Sequence, residues 1–338
     1  MEFRLRLIND LKHRLFRVPE FVTLSFQIFL LFTLITWVTP VLALANCGLT
    51  ISMPNINVVW NQNYNFQTVT FTVAKTKNKA CDYGVTFTKG GASDYQRRMI
   101  GSSAQLSYQL FKDPSLTQIL KDIPDITGPE NYFSGSFPMG QNLSQTLTYY
   151  FQIPQGLATT PTLKPSGLYS DLFTVNIYEG TTSANFGTPD SVANTTVATT
   201  IPKIIDLSLA NSGGTFDPAQ TSQSLNFGTL TEGQAMGFDL KVRSNAGFNV
   251  TFSSQNNGVL KHSNPNIMDT IAYSLSVNSS IKDLSHSQTT PVTTATGSGQ
   301  TSLSGVTSPV RVSIGQVGSN RMAGQYSDNI TVTATTNE

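Results

Sequence analysis

One turn-and-strand motif occurs twice in this chain, and it constrains the fold more than any other feature. It spans residues 167–178 and returns at 324–334, with Gly, Tyr, Ser, Asp, Thr and Val in the same register. In each copy Gly and Ser-Asp supply turn chemistry, and β-branched or aromatic residues then alternate with polar ones, which predicts a strand. A tyrosine at the entrance to a late strand is also typical of the tyrosine corner of immunoglobulin-like sandwiches. The repeated corner residues are Gly167, Tyr169, Asp171, Gly324, Tyr326 and Asp328.

Two shorter matches precede the two copies of the motif in the same order. Residues 83–88 align with 248–253, and residues 107–110 align with 272–275. The chain beyond its N-terminal segment shows no long 3.6-residue periodicity, which argues against helices. We therefore predict an all-β fold of two tandem immunoglobulin-like β-sandwiches. Because six residues follow Val332, we expect the C-terminal sandwich to be incomplete and to lack its last strand.

The N-terminal segment has the organisation of a signal peptide. Five basic residues precede an apolar run at 21–39, and Ala43-Leu44-Ala45 matches the small-residue cleavage pattern. An uncleaved membrane anchor is the competing interpretation, because a run of this length nearly spans a bilayer. We expect a signal peptide at 1–45, an N-terminal domain at 46–180, a closing strand and linker at 181–203, and a C-terminal domain at 204–338.

Charge and cysteine content fit an exported protein that does not bind nucleic acid. Cleavage after Ala45 leaves 16 Lys and Arg against 17 Asp and Glu, which argues against nucleic acid or an anionic membrane surface as a partner. The two cysteines, Cys47 and Cys81, favour a disulfide in an exported chain, although two reduced, buried thiols are the alternative. Such a cross-link stabilises by about 3–4 kcal/mol on the loop-entropy estimate.

Signatures of enzymes are poor. Beyond the N-terminal segment only His262 and His286 remain, in polar, loop-like sequence without the spacing of metal ligands. Neither a nucleophile elbow nor a phosphate-binding loop is present. Asp171 and Asp328 recur at turns, so we interpret them as turn residues and not as a catalytic acid pair. We expect no enzymatic activity, no cofactor and no bound metal.

Residues 124–141 form a predicted loop rich in Pro, Gly and aromatic residues, and its part 132–139, the aromatic segment, is the candidate surface-binding loop. Glycine and proline separate its large side chains, which predicts that these side chains are not all buried in regular strands. We expect them to be exposed at one end of the first sandwich, where they contact a surface by hydrophobic burial. The alternative is that the loop folds back and caps the core. The candidate residues are Tyr132, Phe133, Phe137 and Met139.

An ordered set of motifs in the first half resembles the spore coat protein U domain family, the subunit fold of archaic (Csu-type) chaperone–usher pili. The set comprises Cys47 and Cys81 and the segments 95–99, 106–113, 150–154 and 167–171. The resemblance covers Cys47–Tyr178 well and Ile204–Thr335 weakly. Where the family often carries a Trp-Gly pair, this chain has the aromatic segment instead.

The resemblance implies that the C-terminal domain is a pilin-type sandwich. In this family a periplasmic chaperone holds an incomplete sandwich until the N-terminal extension of the next subunit supplies the missing strand. An open sandwich exposes an apolar groove and unpaired backbone groups, and an added strand satisfies both. The candidate walls of this acceptor groove are Phe238, Leu240, Val242, Ile330 and Val332.

Cleavage after Ala45 would leave one residue before Cys47, so we expect the chain to accept a strand and to donate none. The resemblance therefore implies a two-domain tip adhesin that attaches cells to surfaces, as in a biofilm. Its expected partners are a periplasmic pilus chaperone, an outer-membrane usher, the next pilin subunit and a surface or host ligand. Its expected location is the periplasm and then the cell surface, in the pilus.

Two other interpretations stay open at this point. The first is a non-tip, spore-coat-like structural surface protein, which requires a donor segment of its own. The second is a secreted carbohydrate-binding or hydrolytic β-sandwich, which is stable without a partner strand.

Overall fold

The computed structural model describes residues 46–61, 65–154 and 163–337, so the predicted signal peptide at 1–45 lies outside the described residues. Strands dominate the described chain, and the helical elements in it are two 3₁₀ turns, Pro129–Asn131 and Ser183–Asn185. In these ranges no helix has the length and apolar character needed to cross a membrane.

The first sandwich consists of two sheets. Its strands are β1 (Leu49–Ser52), β2 (Ile56–Val59), β3 (Asn65–Lys75), β4 (Cys81–Phe87), β5 (Arg98–Ile100), β6 (Gln105–Ser107), β7 (Gln109–Phe111), β8 (Phe133–Phe137), β9 (Leu143–Ile153), β10 (Gly167–Glu179) and β11 (Ser191–Ile201). One sheet has the order β1-β3-β9-β7. The other has the order β2-β11-β10-β4-β8, with β5 beside β10 and β6 beside β5.

The second sandwich also consists of two sheets. Its strands are β12 (Ile205–Asn211), β13 (Ala235–Ser244), β14 (Phe248–Ser254), β15 (Val259–His262), β16 (Thr270–Val277), β17 (Ser280–Lys282), β18 (Val292–Gly297), β19 (Val306–Ile314), β20 (Tyr326–Ser327) and β21 (Ile330–Thr336). The larger sheet has the order β12-β13-β19-β16-β15-β20, with β17 beside β16. The smaller sheet has the order β18-β14-β21.

The two sandwiches contain equivalent strands, and matched residues on these strands have equivalent pairing partners. In the first, β7 places Leu110 opposite Phe151 of β9. In the second, β16 places Leu275 opposite Val312 of β19. The segments 107–110 and 272–275, which match in sequence, therefore occupy equivalent places in the fold.

The same equivalence holds in the other sheet of each sandwich. Val175 of β10 lies opposite Phe87 of β4, and Val332 of β21 lies opposite Phe252 of β14. The strands β8-β4-β10 thus correspond to β18-β14-β21. Positions on these strands of the second sandwich therefore have equivalents in the first.

The first core is rich in aromatic side chains. The ring of Phe87 lies 5.9 Å from Phe71, 5.3 Å from Tyr149 and 6.3 Å from Phe173, measured between centroids. All four side chains are buried. The predicted disulfide between Cys47 and Cys81 is present at the start of this sandwich.

The segment predicted as an exposed aromatic loop is mostly buried, which corrects the expectation for three of its four residues. Tyr132, Phe133 and Phe137 are 6%, 9% and 2% exposed, whereas Met139 is 74% exposed. Residues 133–137 form β8, which pairs with β4. Gly135 is part of this strand and faces inward. A Cβ atom at this position would lie 2.5 Å from the hydroxyl oxygen of Tyr83.

Tyr132 belongs to a separate small cluster. Its ring packs edge-on against Phe186, which in turn stacks on Tyr178 at 4.8 Å. Its hydroxyl donates a hydrogen bond to the carbonyl of Thr181 at 2.7 Å. The aromatic segment therefore folds back onto the sandwich, as in the alternative interpretation, and leaves Met139 as its exposed large apolar side chain.

Candidate functional site

The first copy of the repeated motif fixes the start of β10 through two side chains. The hydroxyl of Tyr169 donates to the carbonyl of Pro165 at 2.9 Å, a short upstream contact of the tyrosine-corner type. The carboxylate of Asp171 accepts from the hydroxyl of Tyr108 at 2.7 Å and from the backbone N–H of Gly91 at 3.0 Å. This corner ties β10 to the residue between β6 and β7 and to the loop after β4.

The second copy makes the same contacts. The hydroxyl of Tyr326 donates to the carbonyl of Met322 at 2.8 Å, again four residues upstream. The carboxylate of Asp328 accepts from the hydroxyl of Tyr273 at 2.6 Å and from the N–H of Asn256 at 3.0 Å. The start of β21 is therefore fixed in the same way as the start of β10.

Tyr108 and Tyr273 hold the two corners as permanent donors. Burial is the main cause that raises the pKa of each phenol above its usual value, and the neighbouring carboxylate raises it further. Both hydroxyls therefore stay protonated at physiological pH. Sequence reasoning did not assign them this role, although the match of 107–110 with 272–275 marked both positions.

A second carboxylate, Asp269, anchors the turn that leads into β20. It accepts from the N–H of Met322 at 2.8 Å and pairs with the guanidinium of Arg321. The hydroxyl of Tyr326 also lies 2.8 Å from this carboxylate, so its one proton is shared between Asp269 and the carbonyl of Met322. The bond from Met322 is the first of the causes that lower the pKa of Asp269 to about 2.

We predict that Asp269 contributes acid-sensitive stability to the second sandwich. Its folded pKa lies below the unfolded value of about 3.9, so its contribution is complete above about pH 4 and is lost as the pH falls towards 2. Asp269→Asn should remove this dependence, measured by thermal unfolding between pH 2 and 5. Glu232→Gln, at an exposed carboxylate of the same sandwich, is the control. An identical acid profile in Asp269→Asn and the parent chain would contradict the prediction.

The outer edge of β10 is fully covered. Strand β11 pairs with it in antiparallel fashion from Gly167 opposite Ile201 to Ile177 opposite Ser191, and β2 then pairs with β11 in parallel. As a result the inward side chains of Phe173, Val175 and Ile177 are each 0% exposed.

The equivalent edge of β21 differs. Within the described ranges β14 is the strand that pairs with β21, and none pairs with its other edge. The residues equivalent to Phe173, Val175 and Ile177 are Ile330, Val332 and Ala334, and all three are only half-buried. They belong to the second core but lie at its uncovered margin.

The backbone of the same three residues faces the open side. Asn329 accepts from Gln255 with its carbonyl and Asn337 donates its N–H to Gly247, so the odd-numbered residues point to β14. Alternate residues of an antiparallel strand direct their backbone groups to opposite sides. Ile330, Val332 and Ala334 therefore present apolar side chains and outward-directed N–H and C=O groups along one edge.

The predicted groove walls divide into two sets. Phe238, Leu240 and Val242 lie on β13 of the facing sheet and are 8%, 0% and 2% exposed, so they form part of the buried core. Ile330 and Val332 lie on the open edge strand. Ala334 completes this edge and was missed, although continuing the alternation by two residues reaches it.

Side chains that could bind a metal ion do not cluster in the described part of the chain. No group of three or more His, Cys, Asp or Glu residues there has the arrangement of a metal site. The ring nitrogen Nε2 of His262 lies 3.2 Å from the carbonyl of Ala323, within the turn before β20. The uncovered edge of β21 is therefore the candidate functional site.

In the described part of the chain two tandem β-sandwiches are present, the first with its late strand β10 covered and the second with the equivalent strand β21 uncovered. Residues 38–176 match the sequence model of the Spore Coat Protein U domain. A comparison with curated protein sequences finds no match.

Solved structures similar to this chain include one from Csu pili and two adhesins. A chain of the chaperone–tip adhesion subunit complex of the Csu pili of Acinetobacter baumannii is 12% identical, with 84% of this chain and 99% of that chain covered and a TM-score of 0.37. The CFA/I adhesin of Escherichia coli is 12% identical, with 86% and 92% covered and a TM-score of 0.39. The CupB6 tip adhesin of Pseudomonas aeruginosa is 9% identical, with 85% and 94% covered and a TM-score of 0.39.

Proposed function

We propose that this chain is an adhesive subunit of a chaperone–usher pilus, and that the β21 edge accepts a β-strand from another protein chain. The observation that carries the proposal is the half-burial of Ile330, Val332 and Ala334 at positions that are completely buried in the first sandwich. A strand added at this edge would pair the backbone and cover the side chains in one step.

The proposal assigns a succession of partners to this edge. A periplasmic chaperone occupies it first, and the donor strand of the next pilin subunit replaces the chaperone at an outer-membrane usher. The segment 1–45 directs export to the periplasm, from which the subunit reaches the cell surface in the pilus. We place the subunit at the tip, because cleavage after Ala45 leaves one residue before Cys47 to serve as a donor.

The first sandwich takes the adhesive role in this proposal. Its late strand is already covered by β11, so it needs no partner strand and is free to bind a surface or host ligand. Attachment through this domain would hold cells on surfaces, as in a biofilm. The match to the Spore Coat Protein U domain supports this assignment to a pilus subunit.

Hydrogen exchange of the full chain tests the proposal. We expect the amides of Ile330, Val332 and Ala334 to exchange rapidly in the partner-free protein and to be protected when a cognate chaperone is co-expressed and co-purified. The amides of Phe173 and Val175, which β11 covers, are the internal control and should be protected in both states. Slow exchange at the three β21 amides in a soluble, partner-free monomer would overturn the proposal.

A further inference from the structure

We infer that the strand received by β21 carries a large aliphatic residue opposite Ile330 and another opposite Ala334. This inference rests on the proposed function, because it specifies the partner that the β21 edge selects. The first sandwich supplies the template, since it contains both the late strand, β10, and the strand that covers it, β11.

The covering residues of the template are small. Opposite Phe173 lies Thr195, and opposite Ile177 lies Ser191. Small residues suffice at these places because Phe173 and Ile177 themselves fill the core, and both are 0% exposed.

The second sandwich has smaller side chains at the same two places of its edge strand. Ile330 has three carbon atoms fewer than Phe173, and Ala334 has three fewer than Ile177. Val332 is identical to Val175, so the position between them is unchanged. The edge therefore lacks bulk at two places, separated by one matched position.

The side chains of the facing sheet, on β13 and β19, do not compensate for the smaller side chain of Ile330. Around Phe87 the first core places Phe71 and Tyr149, at 5.9 and 5.3 Å between ring centroids. By strand register their equivalents in the second core are Leu240 and Val310, which are both smaller.

One position of the facing sheet has a larger side chain in the second sandwich than in the first. Phe238, which lies opposite Val310, replaces Val69, which lies opposite Tyr149. This exchange restores bulk on β13, but it leaves Ile330 and Ala334 small on the edge strand itself.

Packing then decides which strand fits. Protein interiors are packed as densely as organic crystals, and an unfilled volume lowers stability in proportion to its size. A strand with Thr and Ser opposite Ile330 and Ala334 would leave two gaps, whereas leucine at both places would fill them. Side-chain size at these two positions is therefore a determinant of partner choice.

Two synthetic peptides test the inference with the full chain. One has the sequence of residues 191–201, and the other has leucine at its first and fifth positions, which correspond to Ser191 and Thr195. We expect the leucine peptide to bind about tenfold more tightly or better, measured by titration with labelled peptides. The double variant Ile330→Phe/Ala334→Ile should reverse the preference, because it restores the bulk of the first sandwich.

Thr333→Ile is the control variant, because Thr333 is exposed on the outer face of the same strand and should leave the ratio of affinities unchanged. Equal binding of the two peptides would overturn the size inference and leave strand acceptance standing. Failure of both peptides to bind would overturn strand acceptance as well. If the double variant does not fold, the ratio measured on the parent chain decides.

Discussion

Val332→Asp is expected to abolish capture of a partner strand, with a loss of affinity of about 100-fold or more. The side chain of Val332 points towards the second core, and its backbone groups point to the open edge. In the free protein an aspartate at this half-buried position keeps contact with water. When a strand arrives, the carboxylate loses that water without gaining a cation, and burial of an unpaired charge costs several kcal/mol.

The neighbouring residue provides a matched control for this variant. Thr333 lies next to Val332 on the same strand but is exposed on the opposite face. Thr333→Asp introduces the same charge into the same strand and should change affinity by less than about twofold. Co-purification with a cognate chaperone and titration with strand peptides measure both variants. Equal losses in the two variants would show that the charge acts through general unfolding, which contradicts a groove-specific role.

The repeat was predictable because its physical causes are local. Gly, Tyr, Ser and Asp at a fixed spacing build the corner, and the alternation that follows builds the strand. The hydroxyl of Tyr169 reaches Pro165 and that of Tyr326 reaches Met322, each within four residues of sequence. Such short-range contacts leave a pattern that can be read along the chain.

Long-range contacts left no comparable pattern. The carboxylate of Asp171 takes its bond from Tyr108, 63 residues away, and that of Asp328 takes its bond from Tyr273, 55 residues away. Only the parallel between the two halves of the chain connects these tyrosines with the corners. Their role as donors became visible when the fold brought them together.

The aromatic segment shows why local composition predicts a loop where the fold has a strand. Gly135 suggested a loop, because glycine weakens most strands. In the fold this glycine faces inward between Phe133 and Phe137, where it makes room for the ring of Tyr83. Glycine is needed here because of Tyr83 on β4, a strand that lies 48 or more residues earlier in the sequence. The sequence around Gly135 gives no sign of this distant contact.

Phe137→Ser is expected to destabilise the first sandwich by about 3–5 kcal/mol, the range for removal of a large buried aromatic side chain. The ring of Phe137 is 2% exposed and lies 5.3 Å from that of Tyr83, between centroids. Serine would leave a cavity there and would place a hydroxyl in an apolar core. Chemical denaturation of the full chain, followed through the transition of the first sandwich, measures the effect.

Met139→Ser is the matched control, because Met139 belongs to the same segment and is 74% exposed. Exposed substitutions of this kind usually change the free energy of unfolding by no more than about 0.5 kcal/mol. The pair separates a packing role of the aromatic segment from an adhesive one. If Phe137→Ser left stability unchanged and reduced attachment of cells to a surface, the buried position of Phe137 would be contradicted and the exposed-loop interpretation restored. If Met139→Ser alone reduced attachment at unchanged stability, the adhesive surface would include the exposed turn between β8 and β9.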